Sequence, residues 1–224
     1  MRTIIFLFAV CAVSASSCRG DEPHLSQMPS KVLNSRIRLD HVGDRDPTSL
    51  AYKVAQHADI AVNIEVFKSP ETLPQADAAL VTSWVDGEQH LGDVLQSLAV
   101  ASAGALTWQV RGNGVVIRIK PPKDLSDPLA KQLSDSNIVQ GTIVDALYWI
   151  EPQIPSVDVS FRDRMGVSQG RHQFEFNKGM TLREALIHIG EVTGCRWVAA
   201  IEHNHSPAED SFRVSLIFIA RGSI

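Results

Sequence analysis

Gly179-Met-Thr-Leu-Arg-Glu-Ala-Leu-Ile-His-Ile-Gly-Glu-Val-Thr-Gly-Cys-Arg-Trp197 marks its own start and stop. Thr181 followed three residues later by Glu184 is a capping box: the hydroxyl accepts from the Glu184 N–H while the carboxylate reaches back to the cap. Leu182, Ala185, Leu186 and Ile189 fall at i, i+3, i+4 and i+7, the apolar face of a helix over 181–192. Gly194 stands where a left-handed terminator is wanted, since it has no Cβ to clash. Trp197 follows in a run that reads as a strand. The same sentence is written more loosely at 87–108, where Leu91, Val94, Leu95 and Leu98 repeat the spacing, Gly104 stops the helix and Trp108 follows.

Working outward, each copy acquires flanking strands. In the first, alternation over 36–42 predicts a strand. Asp46-Pro47 then opens a helix whose inward face is Leu50, Ala51, Val54 and Ala55. Residues 60–67 and 78–85 read as strands, and 106–110 with 115–119 as a hairpin turned by Gly112-Asn113-Gly114. In the second copy a helix over 142–150 ends at Pro152, strands cover 157–161 and 171–176, and 203–210 reads as a hairpin loop between strands 196–201 and 212–219. The expected fold is therefore α+β: two tandem small domains, 36–120 and 137–222, each a mixed sheet with two helices in the order β-α-β-β-α-β-β. The proline-rich stretch 121–136 is expected to link them.

The N-terminus reads as a secretory signal peptide over 1–17. Arg2 is the positive region, 4–13 an apolar run too short to span a bilayer as a mature helix, and small residues follow. Cys18 after Ala15-Ser16-Ser17 resembles a lipoprotein box, with plain export as the alternative. Residues 18–35 are polar and aperiodic, a tether.

Composition removes several classes of function. The chain of 224 residues carries 21 Lys+Arg against 25 Asp+Glu, a formal net charge of −4 without a basic block, so no nucleic-acid surface is expected. Its three cysteines, Cys11, Cys18 and Cys195, provide no disulfide framework, so the cores must hold by burial. Cys195, opening an apolar strand, reads as a buried thiol.

The candidate chemistry is thin. His203 and His205 with Glu202, Glu209 and Asp210 are the densest group of potential ligands, but a solvated hairpin tip explains them equally. His188 lies beside an apolar stripe. Asp40 and His41 alternate onto opposite faces of their strand, and no nucleophile elbow is present. No catalytic residue, metal ligand or cofactor site is therefore assigned. Among Trp84, Trp108, Trp149 and Trp197, Trp108 and Trp197 hold matching places in the two copies, which argues for packing. Tyr148 and Trp149 are adjacent, so one of them should face outward. Tyr148, Trp149, His203 and His205 form the candidate interaction surface, with strands 36–42 and 212–219 as candidate sheet edges for a partner strand.

The phrase Met180-Thr-Leu-Arg-Glu-Ala-Leu-Ile-His-Ile, with Thr193-Gly194 and Trp197, resembles the short N-terminal domain shared by secretins and TonB-dependent receptors (the STN domain). Its weaker copy runs from His90 to Trp108. The resemblance implies a periplasmic or outer-membrane-associated protein that works by contact with an envelope protein. It admits an oligomer, and allows membrane contact only if Cys18 is lipidated. Members of that family continue into a barrel or pore, whereas this chain stops at Ile224, as a detached adaptor would. The matching positions are packing positions, so no family site residue carries over. A binding module for envelope glycan or a small ligand is the alternative.

Overall fold

The computed structural model describes residues 29–39, 46–68, 87–119, 126–162, 169–206 and 209–220. In chain order these form α1 (Pro29–Leu33), β1 (Arg36–Ile37), α2 (Pro47–His57), β2 (Ala61–Phe67), β3 (Gln89–His90), α3 (Leu91–Ala101), β4 (Leu106–Arg111) and β5 (Gly114–Ile119). After a 3-10 turn at Pro128–Ala130 come β6 (Asn137–Gly141), α4 (Ile143–Ile150), β7 (Val157–Arg162), β8 (His172–Phe176), α5 (Leu182–Thr193), β9 (Cys195–Ser206) and β10 (Glu209–Ala220). The class is mixed α+β.

Helix boundaries follow local chemistry. Asp46 accepts from the Ser49 N–H at 2.9 Å to cap α2, with Pro47 in the first turn. Thr181 and Glu184 close the expected box around the start of α5, and Gly194 ends that helix at φ +70°. A second box, Thr142 with Asp145, opens α4. The β4–β5 hairpin turns through Gly112 at φ +55°, a conformation that costs a glycine little.

The sheet departs from the expectation of one sheet per domain. Six strands run in the order β4-β5-β2-β9-β10-β7 as one sheet, because β2 pairs in parallel with β9 through Ile64↔Val198 to Phe67↔Ile201. Two small antiparallel ladders, β1 with β3 and β6 with β8, stand apart from it. Alternation gives the large sheet two apolar faces. Val62 and Ile64 of β2 join Val115 and Ile117 of β5 beneath α2 and α3. On the opposite face Trp197 and Ala199 of β9 join Phe212, Val214, Leu216 and Phe218 of β10 beneath α4 and α5. The core is therefore a sheet with a helix pair on each side, one pair over each half.

Several other boundaries move. The expected first strand shrinks to Arg36–Ile37, and 40–45, which hold Asp40, His41 and Asp44, lie outside the described residues, as do 69–86 with the expected strand 78–85 and Trp84. Within the expected linker, Leu129 and Leu133 are buried in the second core and Gln132 bridges to Thr181, while residues 134–136 are exposed. Residues 203–206 and 209–210 continue β9 and β10 rather than forming a loop, since the main chain stays paired out to Ser206↔Glu209. The strand 212–219 is not an edge: β10 has β9 on one side and β7 on the other. Among the described residues the edges of the large sheet are β4 and β7.

Candidate functional site: an exposed edge and the groove beside it

Among the described residues, helix α4 positions the most exposed large hydrophobic side chain of the second half. Ile143, Ala146, Leu147 and Ile150 point into the core, and this spacing turns Tyr148 outward, where it is 70% exposed. Trp149 lies half-buried with its ring stacked on Phe176 at 5.2 Å between centroids and 8° between planes, so it acts as packing rather than as a platform. Of the adjacent pair, Tyr148 is the outward one.

Beside α4 runs β7, which among the described residues has a strand neighbour on one side only. Its Val159 and Phe161 lean onto the core, and Phe161 meets Phe218 edge-on at 5.7 Å. Between helix and strand lies a shallow cavity of about 160 Å³ lined by Val144, Leu147, Tyr148, Glu151, Val159 and Phe161. Ligand pockets span roughly 300–1,000 Å³, so this groove is sized for a side chain or two.

The histidines are elsewhere. His203 lies on β9, two strands in from β7, with its ring tilted over Phe212 at 5.0 Å. The backbone of His205 pairs with Asp210. His203 is not among the residues that line the groove. Among the described residues no group of three or more His, Cys, Asp or Glu side chains could hold a metal ion. His188 accepts from the Glu175 N–H at 3.2 Å and stands edge-on to Phe176. The Cys195 thiol is buried and donates to the Thr193 carbonyl at 3.7 Å. Cys18 and the expected signal peptide lie outside the described residues, and no described helix is long and apolar enough to cross a membrane.

No family model, no curated protein and no solved structure matches this chain.

The structure adds a polar feature that the sequence patterning above did not single out. Glu65, on β2, is fully buried and accepts from Arg183 Nε at 2.5 Å, Arg183 Nη2 at 2.9 Å and Arg118 Nε at 2.7 Å. Asp127 accepts from the same two arginines, at 2.8 and 2.5 Å. Burial pulls the Arg183 pKa down, but hydrogen bonds and charge from Glu65 and Asp127 outweigh it and leave the guanidinium more firmly protonated than usual. Arg196 of β9 donates to the carbonyls of Ala55, Gln56 and Ala58 at the end of α2, and the Asn63 side chain accepts the Trp197 N–H at 3.0 Å. The Arg183–Glu65, Arg196 and Asn63–Trp197 contacts cross from one half of the chain to the other. The sequence did hold a signal: Glu65 puts a carboxylate into a strand that, Asn63 apart, is apolar, and a buried carboxylate calls for a cation.

Proposed function

We propose that this is an exported, non-enzymatic cell-envelope protein that acts as an adaptor or scaffold through protein contacts, built from two copies of one secretin-N-like unit. The two-copy reading rests on the correspondence of pairings. In the first half β4-β5-β2 lie side by side with β1·β3 apart; in the second β9-β10-β7 lie side by side with β6·β8 apart. The helix before β2 answers the helix before β7, and the helix before β4 answers the helix before β9. The polar seam between the halves favours a rigid body, which suits a protein whose work is to hold others in place.

The observation that carries the adaptor reading is Tyr148, exposed on α4 beside the groove and the β7 edge. Exposed tyrosine next to a shallow depression of mixed polarity suits a protein contact, since tyrosine is enriched at contact hot spots. The small volume of the groove favours a partner's side chain over the alternative, a glycan or small ligand. Association with a secretin or TonB-type assembly remains part of the proposal on the strength of the sequence resemblance.

The test is crosslinking and pull-down from intact envelopes with wild type, Tyr148→Ala and Cys18→Ser. The adaptor reading expects one or more envelope proteins to be recovered with wild type and lost with Tyr148→Ala while the variant stays folded. It also expects Cys18→Ser to leave the membrane fraction if that cysteine is lipidated. Recovery of no protein, with retention on purified cell-wall glycan instead, would replace the adaptor with the binding module.

A further inference from the structure

We propose that the β7 edge of one molecule pairs in parallel with the β4 edge of a second copy, so that the chain assembles head to tail by repeating its own internal junction. This rests on the two-copy reading above, and goes beyond it by naming the partner of the sheet edge.

The internal junction supplies the geometry. Pairings fix the strand directions: β5 and β2 are parallel, β2 and β9 parallel, β4 antiparallel to β5, β10 antiparallel to β9, and β7 parallel to β10. If β2 points up, the six strands read down, up, up, up, down, down from β4 to β7. The first three become the last three by stepping along the sheet while reversing strand direction. The helices swap faces in the same step, α2 and α3 on one side, α4 and α5 on the other. This is a half-turn combined with a translation along the row of strands. Taken once more it places a new β4, pointing down, beside β7, also pointing down, with helices back on the first face. A heterologous contact of this kind does not close on itself and yields an open series.

Among the described residues no strand covers either edge, and main-chain groups there point outward. The Phe212 N–H donates to the Ser156 carbonyl at 3.0 Å, which sets the alternation of the parallel ladder. The N–H and C=O groups of Val159 and Phe161 therefore point away from β10. On β4 the two-residue turn is closed by Arg111 and Gly114, so Trp108 and Val110 present theirs away from β5. In keeping with this, the Leu106 N–H turns to the Ser102 hydroxyl rather than to β5. Each edge strand is six residues long.

The side chains repeat the internal pattern as well. Where β2 meets β9, polar Asn63 and Glu65 lie on the same face as apolar Trp197 and Ala199. Where β7 would meet β4, polar Asp158 and Ser160 lie on the same face as apolar Trp108 and Val110. On the other face Val159 and Phe161 neighbour Thr107 and Gln109.

Sedimentation velocity over a concentration series tests this on the full chain as recovered from cells. Wild type is expected to give a coefficient that rises continuously with concentration. Val159→Pro blocks the β7 edge and Val110→Pro the β4 edge without removing a ladder bond to β10 or β5, so each alone is expected to stay monomeric. An equal mixture of the two is expected to form a discrete dimer and stop, because each contributes its one intact edge. If a proline variant loses cooperative unfolding, lysine at the same position replaces it. A monomeric wild type at every concentration overturns the proposal, as does association unaffected by Val110→Pro, which would mean β7 pairing with β7. Neither result touches the envelope pull-down, whose readout is a different protein.

Discussion

Arg183 grips Glu65 with two nitrogens, Nε at 2.5 Å and Nη2 at 2.9 Å, across 118 residues of chain. The carboxylate is fully buried on the central strand β2, and the guanidinium comes from α5 on the other half. A carboxylate stripped of water is costly unless paired, so the partner cannot be removed lightly. Arg183→Met is expected to destabilise by about 3–5 kcal/mol in urea unfolding. Glu65→Leu combined with Arg183→Leu removes both charges, leaves Arg118 with Asp127, and is expected to recover most of that loss. A double variant as unstable as the sum of the singles would show that the pair is not coupled.

Arg196 ties the halves together at a second point. It donates to Ala55, Gln56 and Ala58, carbonyls that the end of α2 leaves without intrahelical partners. A cation at a helix C-terminus is also favoured by the helix dipole. Arg196→Met keeps the stem and loses the donors, and is expected to cost about 1–3 kcal/mol. Amide exchange should localise the effect to residues 54–58, with Arg196→Lys falling between the two. Uniform loss of protection, with α2 no worse than the rest, would rule out the capping role.

What the sequence disclosed was what neighbouring residues settle between themselves. Thr181, Glu184 and Gly194 fix α5 through contacts three or four residues apart, and the face of α4 turns Tyr148 out because its spacing is local too. Strand partners follow another logic. Asn63 meets Trp197 134 residues away, and the alternation of β2 or β9 says which side is apolar without saying which strand lies alongside. Hence the expectation of separate sheets and of an edge at 212–219, both set aside by β2·β9 and β10·β7 pairing. The polar run at 203–206 lacked alternation and read as a loop, although main-chain bonds need none. The groove shares this origin: its helix and its strand at 157–161 were each legible, but not that they lie side by side.

The capping boxes predict a pH dependence with a definite sign. The Glu184 carboxylate accepts from the Thr181 N–H and hydroxyl, both at 2.8 Å, and these bonds hold its pKa below the ordinary value of 4.5; the Thr142 backbone and hydroxyl do the same for Asp145. A carboxyl whose pKa is lower folded than unfolded stabilises the fold fully above its unfolded value. That contribution is lost as pH falls through the folded value. Acid unfolding of wild type should therefore steepen below about pH 5. Glu184→Gln should flatten the slope of stability against pH in that window while lowering stability at neutral pH. An unchanged slope would place the acid sensitivity elsewhere.

Two glycines separate close approach from mere permissiveness. Gly114 begins β5 where it passes β2 in parallel, and a Cβ there would overlap the Ala61 carbonyl oxygen and reach Ala61 Cβ at 3.0 Å. The obstacle is main chain held in a ladder, so it cannot swing aside as a side chain would. Gly114→Ala is expected to destabilise by about 1–3 kcal/mol and to lower protection along β2 and β5. Gly87 has nothing within 4 Å of an added Cβ and does not adopt a positive φ. Gly87→Ala should leave stability unchanged or raise it by roughly 0.4–1 kcal/mol through the unfolded chain. Thermal unfolding of the two variants side by side checks both. No loss for Gly114→Ala would mean that the β2–β5 contact yields more easily than its geometry implies.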